Sequence, residues 1–301
     1  MKEQMMTSEK IKPVYLDEVS PNVISPGGFP PDKLHPDAFE MIADRHPMVH
    51  AMTNAVTRSD VVNMILASGG SAICSENSEE AAQITALCQG LLINTGMPDE
   101  RRLEAMILSG REANERKIPV VLDPAGLGAS EYRASFVKEL LTNIRFDCIR
   151  ANMSETAALS GMSIASRGVE ECGARLTEEE MMELAGHLHV VLAVTGSTDY
   201  IVSPEKVLVS KTGSLYLKRI TGAGCMLSGI VTAALAAGAM NAPKQEPEQI
   251  RKQEIITDAI REYGEAAGRA EAVTKKAGGG IGTFRIAFFD EISRIAKRGF
   301  I

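Results

Sequence analysis

The chain has 301 residues, of which 45% are hydrophobic and 24% charged. This is ordinary globular usage and excludes a disordered or fibrous class. The formal charge of -7 argues against a nucleic-acid partner, because neutralising phosphates needs a basic face. A small anionic ligand stays open, since a few local donors suffice for it.

In chain order, the opening MKEQMMTSEK lacks the apolar core of a secretory signal. Seven of the 13 prolines fall within the first 47 residues. Residues 1–34 therefore read as a flexible, poorly structured N-terminal extension, and 35–301 as a single domain. His46 and His50 share a four-residue spacing, but HPMVH reads as entry into a strand, where that spacing separates the rings by about 13 Å. A histidine metal site is not expected.

Short apolar runs then alternate with amphipathic segments. MVHAMT precedes a helix over 59–68, SAIC one over 78–89, LLINTG one over 98–116 and VVLDP one over 132–144. CIRAN precedes a helix over 154–159, and VVLAVTG follows. Runs such as Val120-Val121-Leu122 are apolar throughout, as in a parallel sheet covered on both faces. From Tyr200 to Ile220 closely spaced strands with turns at Ser203-Pro204 and Thr212-Gly213-Ser214 suggest an antiparallel edge. Long helices follow. The apolar run 226–240 is interrupted by small polar residues and is read as too short to cross a bilayer. Five cysteines without CxxC spacing exclude a disulfide framework or zinc ribbon, and the cytoplasm is the natural compartment.

Ligands of an open parallel sheet collect at the carboxyl ends of its strands. Four polar groups follow apolar runs there: Asp123 in VVLDPAGLG; Arg150, Asn152 and Glu155 in CIRANMSE; Thr195-Gly196 in VVLAVTG; and the turn Gly222-Ala223-Gly224 before Cys225 in RITGAGCMLSG. Together they offer carboxylates for a divalent cation, an arginine for phosphate and a helix-opening turn that holds an anion. That set suits phosphoryl transfer. Each element has a plainer alternative: Asn152 to Glu155 fits a capping box, Asp123-Pro124 fits a turn, Arg150 fits a surface residue, and Cys225 fits a buried inert thiol. A thiol at a helix N-terminus is also expected to be partly ionised at neutral pH. GxxxxGK[ST] and a complete GxGxxG after a strand are absent, which disfavours a Walker ATPase and a dinucleotide oxidoreductase.

The motifs VHAMTNAVT, ASGGSAIC, INTGM, VVLDPAGLGAS, IRANMSE, AVTG, TGAGCMLSG and GGGIGTFRIAFFD, in this order over about 47–297, resemble the hydroxyethylthiazole kinases of the ribokinase-like superfamily. The resemblance implies a three-layer α/β sandwich with a mostly parallel central sheet. It also implies transfer of the γ-phosphoryl group of ATP to 4-methyl-5-(2-hydroxyethyl)thiazole in thiamine biosynthesis. By the same resemblance Arg150 and Thr195 contact ATP, and Asp123 and Glu155 organise Mg²⁺ through water. Asn54, Cys74 and Gly222 line the thiazole site, and Cys225 takes the place of the aspartate base of the related sugar kinases. A homotrimer with active sites between subunits is implied as well. Cys74 stands where these kinases usually have methionine, which leaves a hydroxymethylpyrimidine or pyridoxal kinase, or a silent ligand-binding homologue, as alternatives.

Overall fold

The computed structural model describes residues 37–164, 176–240 and 248–296. The expected extension over 1–34 and Cys172 lie outside the described residues. Eight strands form one sheet in the order β2-β1-β3-β4-β5-β6-β7-β8. They are β1 (Met48–Met52), β2 (Ser71–Ile73), β3 (Gly90–Asn94), β4 (Val120–Asp123), β5 (Cys148–Asn152), β6 (Val191–Thr195), β7 (Asp199–Val202) and β8 (Val207–Ser210). All neighbours pair in parallel through β6, and β7 and β8 add an antiparallel edge.

Alternate strand residues enter two cores, as the period of two requires. Val49, Leu92, Val121 and Val191 pack with α1 (Ala38–Arg45), α2 (Arg58–Ala67), α8 (Ala223–Met240), α9 (Glu248–Lys276) and α10 (Ile281–Ile295). Leu91, Ile93, Leu122 and Leu192 pack with α3 (Ala81–Leu87), α4 (Glu100–Arg116), α5 (Glu131–Asn143), α6 (Met153–Ile164) and α7 (Glu178–Leu188). The expected three-layer α/β sandwich is therefore the observed one.

Three details differ from the sequence reading. Helices α1 and α7 were not expected, and α7 opens on a capping box in which Thr177 and Glu180 bond each other's backbone N–H. Residues Leu215–Arg219 form a 3₁₀ turn instead of a strand. The last apolar run starts earlier, at Ala223, giving an 18-residue helix that is long and apolar enough to span a membrane by length and composition. Its setting explains its composition: it packs against β1, β3, β4, α1, α2 and α9, inside the protein.

Candidate active site

The registers align the polar strand ends. Asn94 stands beside Asp123, and Asn152 beside Thr195. Arg150, 6% exposed, is held from two sides. Its Nη2 donates to Asp123 Oδ1 at 2.8 Å, and its Nε donates to Ser228 Oγ at 3.0 Å. Ser228 in turn donates to Asp123 Oδ2 at 2.8 Å. Arg150 Nη1 reaches Thr195 Oγ1 at 3.2 Å. Burial works against the guanidinium charge, but Asp123 and Glu155 more than offset it and hold Arg150 firmly protonated.

The glycine turn meets this knot. Gly222 has φ +84°, where only glycine is unstrained. A Cβ on it would lie 2.7 Å from Thr57 Cγ2. A Cβ on Gly224 would lie 2.6 Å from Arg150 Nη1, so the absent side chain is what lets the guanidinium approach the turn. Helix α8 begins at Ala223, and its first amides have no intrahelical acceptor. Tyr263 Oη donates to Ala223 O at 2.7 Å and pins the turn from beneath.

Two clefts open here. One of about 420 Å³ is lined by Arg150, Thr195, Asp199, Gly224, Ile260 and Tyr263 among others. Another of about 880 Å³ runs past Gly126, Asn152, Glu155 and Thr195 to Thr198. They share Thr195, Gly196 and Ser197. Both lie in the size range of small-ligand sites. Asp199 Oδ1 accepts from Gly196 N at 2.9 Å, and burial raises its carboxyl to about 6.

The two expected metal carboxylates are placed differently. Both oxygens of Asp123 are taken, by Arg150 and Ser228, and a fixed cation adjoins them, so Asp123 does not fit as a direct metal ligand. Glu155 Oε1 accepts from Gly126 N and Oε2 from Asn152 N, both at 2.9 Å. Asn152 Oδ1 returns the bond to Glu155 N at 2.9 Å, so the capping box is formed. Glu155 lines the larger cleft and each of its oxygens can accept a further hydrogen bond, which fits the hydration shell of a cation that keeps several waters. Among the described residues no group of three or more His, Cys, Asp or Glu is placed to hold a metal directly.

On the other side of the turn, Cys225 Sγ receives Asn94 Nδ2 at 3.3 Å and Asn54 Nδ2 at 3.6 Å. Asn94 Oδ1 accepts from Asn54 Nδ2 at 3.0 Å and from Gly96 N at 2.9 Å, which fixes the Asn94 amide so that its NH₂ faces the sulfur. The Thr57 hydroxyl lies near the sulfur without an aligned partner. Burial pushes the Cys225 thiol above its ordinary value and Asp123 adds to this, while Thr57, Arg150 and Asn94 only reduce the rise. The expected partial thiolate is thus corrected: burial disfavours the ionised sulfur. Cys74 is half-buried, with Arg58 and Glu76 near its thiol.

Asn94, Ser228 and Tyr263 were not among the expected site residues. Asn94 ends a strand immediately before a Thr-Gly turn, and Ser228 follows Gly224 by one helical turn in an otherwise apolar helix; both signals were readable. Tyr263 carried none. His46 and His50 have separate settings: His46 Nδ1 meets Gly69 O at 3.2 Å, and His50 is bonded to Thr85 Oγ1 and Ser75 O.

A mostly parallel sheet with an antiparallel edge, covered by helices on both faces, is the ribokinase-like α/β architecture. A sequence profile described as "Hydroxyethylthiazole kinase family" matches residues 39–298. A hydroxyethylthiazole kinase of Clostridium beijerinckii is 37% identical over 263 residues, covering 85% of this chain and 90% of that protein. One of Alkaliphilus metalliredigens is 33% identical, covering 86% and 92%. The solved structure of a Pyrococcus horikoshii hydroxyethylthiazole kinase superposes with a TM-score of 0.72 at 28% identity, covering 85% of this chain and 91% of that one. The chain belongs to the hydroxyethylthiazole kinase family.

Proposed function

We propose that the protein transfers the γ-phosphoryl group of ATP to the primary alcohol of 4-methyl-5-(2-hydroxyethyl)thiazole, a step of thiamine biosynthesis and salvage carried out in the cytoplasm. The observation that carries this reading is the contact between the buried Arg150 and the Gly224 turn, at the mouth of a nucleotide-sized cleft. Arg150 and Thr195 hold phosphate oxygens. Gly222, Ala223 and Gly224 supply the anion hole for the charge that develops in transfer. Mg²⁺ would be held by Glu155 through water, and when bound it supplies neutralisation of phosphate charge. Asp123 acts on it at one remove, by fixing Arg150.

The alcohol oxygen forms the new bond to γ-phosphorus, the bond to the bridging oxygen breaks, and ADP departs. In a loose transition state the alcohol proton leaves late, to the transferred phosphoryl group. A neutral Cys225 thiol suits this order, since its sulfur orients the hydroxyl instead of removing its proton first. Asn94 fixes the sulfur, and Asn54, Gly222 and Cys74 line the acceptor side. We further propose that a second and third copy complete that side in a homotrimer. The unpaired Thr53 hydroxyl and the exposed Val56 and Met97 support this.

The test is incubation with ATP, Mg²⁺ and a panel of thiazole, pyrimidine, pyridoxal and ribose alcohols, with products identified by mass. Phosphorylated thiazole alcohol is the expected product. A phosphorylated pyrimidine or pyridoxal alone would move the substrate assignment, and no product at all would favour a silent homologue.

A further inference from the structure

The amino ends of β4, β5 and β6, at the opposite edge of the sheet from the active site, border a cleft of about 400 Å³. In a chain with 39 acidic and 32 basic residues, this cleft gathers Lys117, Arg145, His189, Arg251 and Lys252 around a single carboxylate, Asp147. That carboxylate is already committed. Its Oδ1 pairs with Lys252 Nζ at 2.6 Å, and its Oδ2 accepts from Val120 N at 2.7 Å. Lys117, Arg145 and Arg251 have no ion pair among the described residues, and Arg251 Nε is buried with no hydrogen-bond partner.

Helix dipoles account for part of this gathering and not for the rest. Lys117 and His189 cap the C-termini of α4 and α7 in left-handed conformations with φ 60° and 56°, where positive charge is welcome. Arg251 stands in the first turn of α9, where positive charge opposes the dipole, and Lys252 follows it. Arg145 is presented by a fixed loop: Asn114 Oδ1 accepts from Arg145 N at 2.8 Å, and Asn114 Nδ2 donates to Arg145 O at 2.9 Å. Ile118, Phe146, Leu235 and Ile255 also border the cleft; Ile118 and Phe146 pack on one face of the sheet and Leu235 and Ile255 on the other.

We propose that this cleft is a second anion site, for a phosphate-bearing small molecule such as a mononucleotide or a phosphorylated heterocycle. Arg145 and Arg251 hold the phosphate. Asp147 immediately precedes β5, whose third residue is Arg150, so occupancy here is compatible with a filled nucleotide cleft at the other end of the same strand.

The test is isothermal titration of the full chain with inorganic pyrophosphate, AMP and the phosphate ester of the thiazole alcohol, each read without turnover, so that loss of kinase activity would not bear on it. Gly224→Val, which closes the active-site turn, should retain one equivalent of binding for AMP or the thiazole ester. Whichever of the two binds more tightly identifies the source. In Arg145→Ala/Arg251→Ala that equivalent should weaken on the order of tenfold or more for each arginine removed, with kcat unchanged in the absence of added probe. Arg251→Gln alone serves as the milder variant if the pair fails to fold. No binding by Gly224→Val, or arginine variants that bind all probes like the parent chain, would overturn the assignment.

Discussion

The two halves of the carboxyl edge are finished to different degrees. On the nucleotide side Asp123 is fully buried, Arg150 is nearly so, and every side chain of the knot has its partners. On the acceptor side Cys74 and Cys225 are half-buried, Thr53 has an unpaired hydroxyl, and Val56 and Met97 are 69% and 47% exposed. A buried hydroxyl without a partner and an exposed apolar side chain both cost free energy that a covering surface would recover. On the proposed reading, one chain builds a complete phosphate grip and an acceptor pocket that a second copy finishes. Changes on the first side should act through ATP and folding, and changes on the second through the alcohol.

The largest effect is expected from Gly224→Val, whose side chain would collide with the Arg150 guanidinium. kcat/KM should fall by about 10³ or more, with an unchanged circular dichroism spectrum. Arg150→Ala leaves Asp123 buried without its counter-charge and should cost about 3–5 kcal/mol in denaturant unfolding. A loss no larger than that of a surface change would break the contrast. Asn94→Leu removes the amide that fixes the sulfur. It should lower kcat by about 10 to 10² and shift the pH dependence of Cys225 alkylation upward, while the KM for ATP stays put. A shifted KM for ATP would merge the two halves.

Cys225→Asp should keep turnover within about tenfold of the parent, because orientation matters there more than basicity. A folded but inactive variant would reverse that conclusion. The smallest effect concerns Asp199. Its carboxyl is raised by burial to about 6 in the folded protein, against about 3.9 unfolded. The folded state therefore binds the proton more tightly, and this contribution is full below about pH 4 and lost as pH rises through about 6. Asp199→Asn should raise stability by about 1–2 kcal/mol at pH 7.5 and not at pH 4. Thermal melts at the two pH values decide it, and a lowered Tm at pH 7.5 would contradict the burial cost.

Much of the layout was readable because the strands announce themselves. Val120 to Leu122 and Val191 to Val194 are continuous apolar runs, and the polar residue closing each one lands on the same edge of the sheet. Helix α1 was hidden by the prolines before it and by Pro47 after it. Helix α7 was announced by Thr177 and Glu180, a signal that was there to be read. Leu215–Arg219 alternates like a strand, yet Ser214 bonds Tyr216 N and winds it into a 3₁₀ turn. At the site the residue types were legible and the pairings were not. That Arg150 is held by Asp123 across two strands, with Ser228 bridging from a helix 105 residues after Asp123, depends on long-range packing that no local spacing encodes. The Cys225 thiol was misjudged for the same reason, since a helix end is visible in sequence and burial is not.

Glu155 carries a consequence for motion. By accepting from Gly126 and Asn152 together, it staples the crossover leaving one strand to the start of the helix after the next. The two walls of the larger cleft then open only as a unit, and the Gly126 amide, although it belongs to a loop, should exchange its hydrogen for deuterium as slowly as a residue of regular structure.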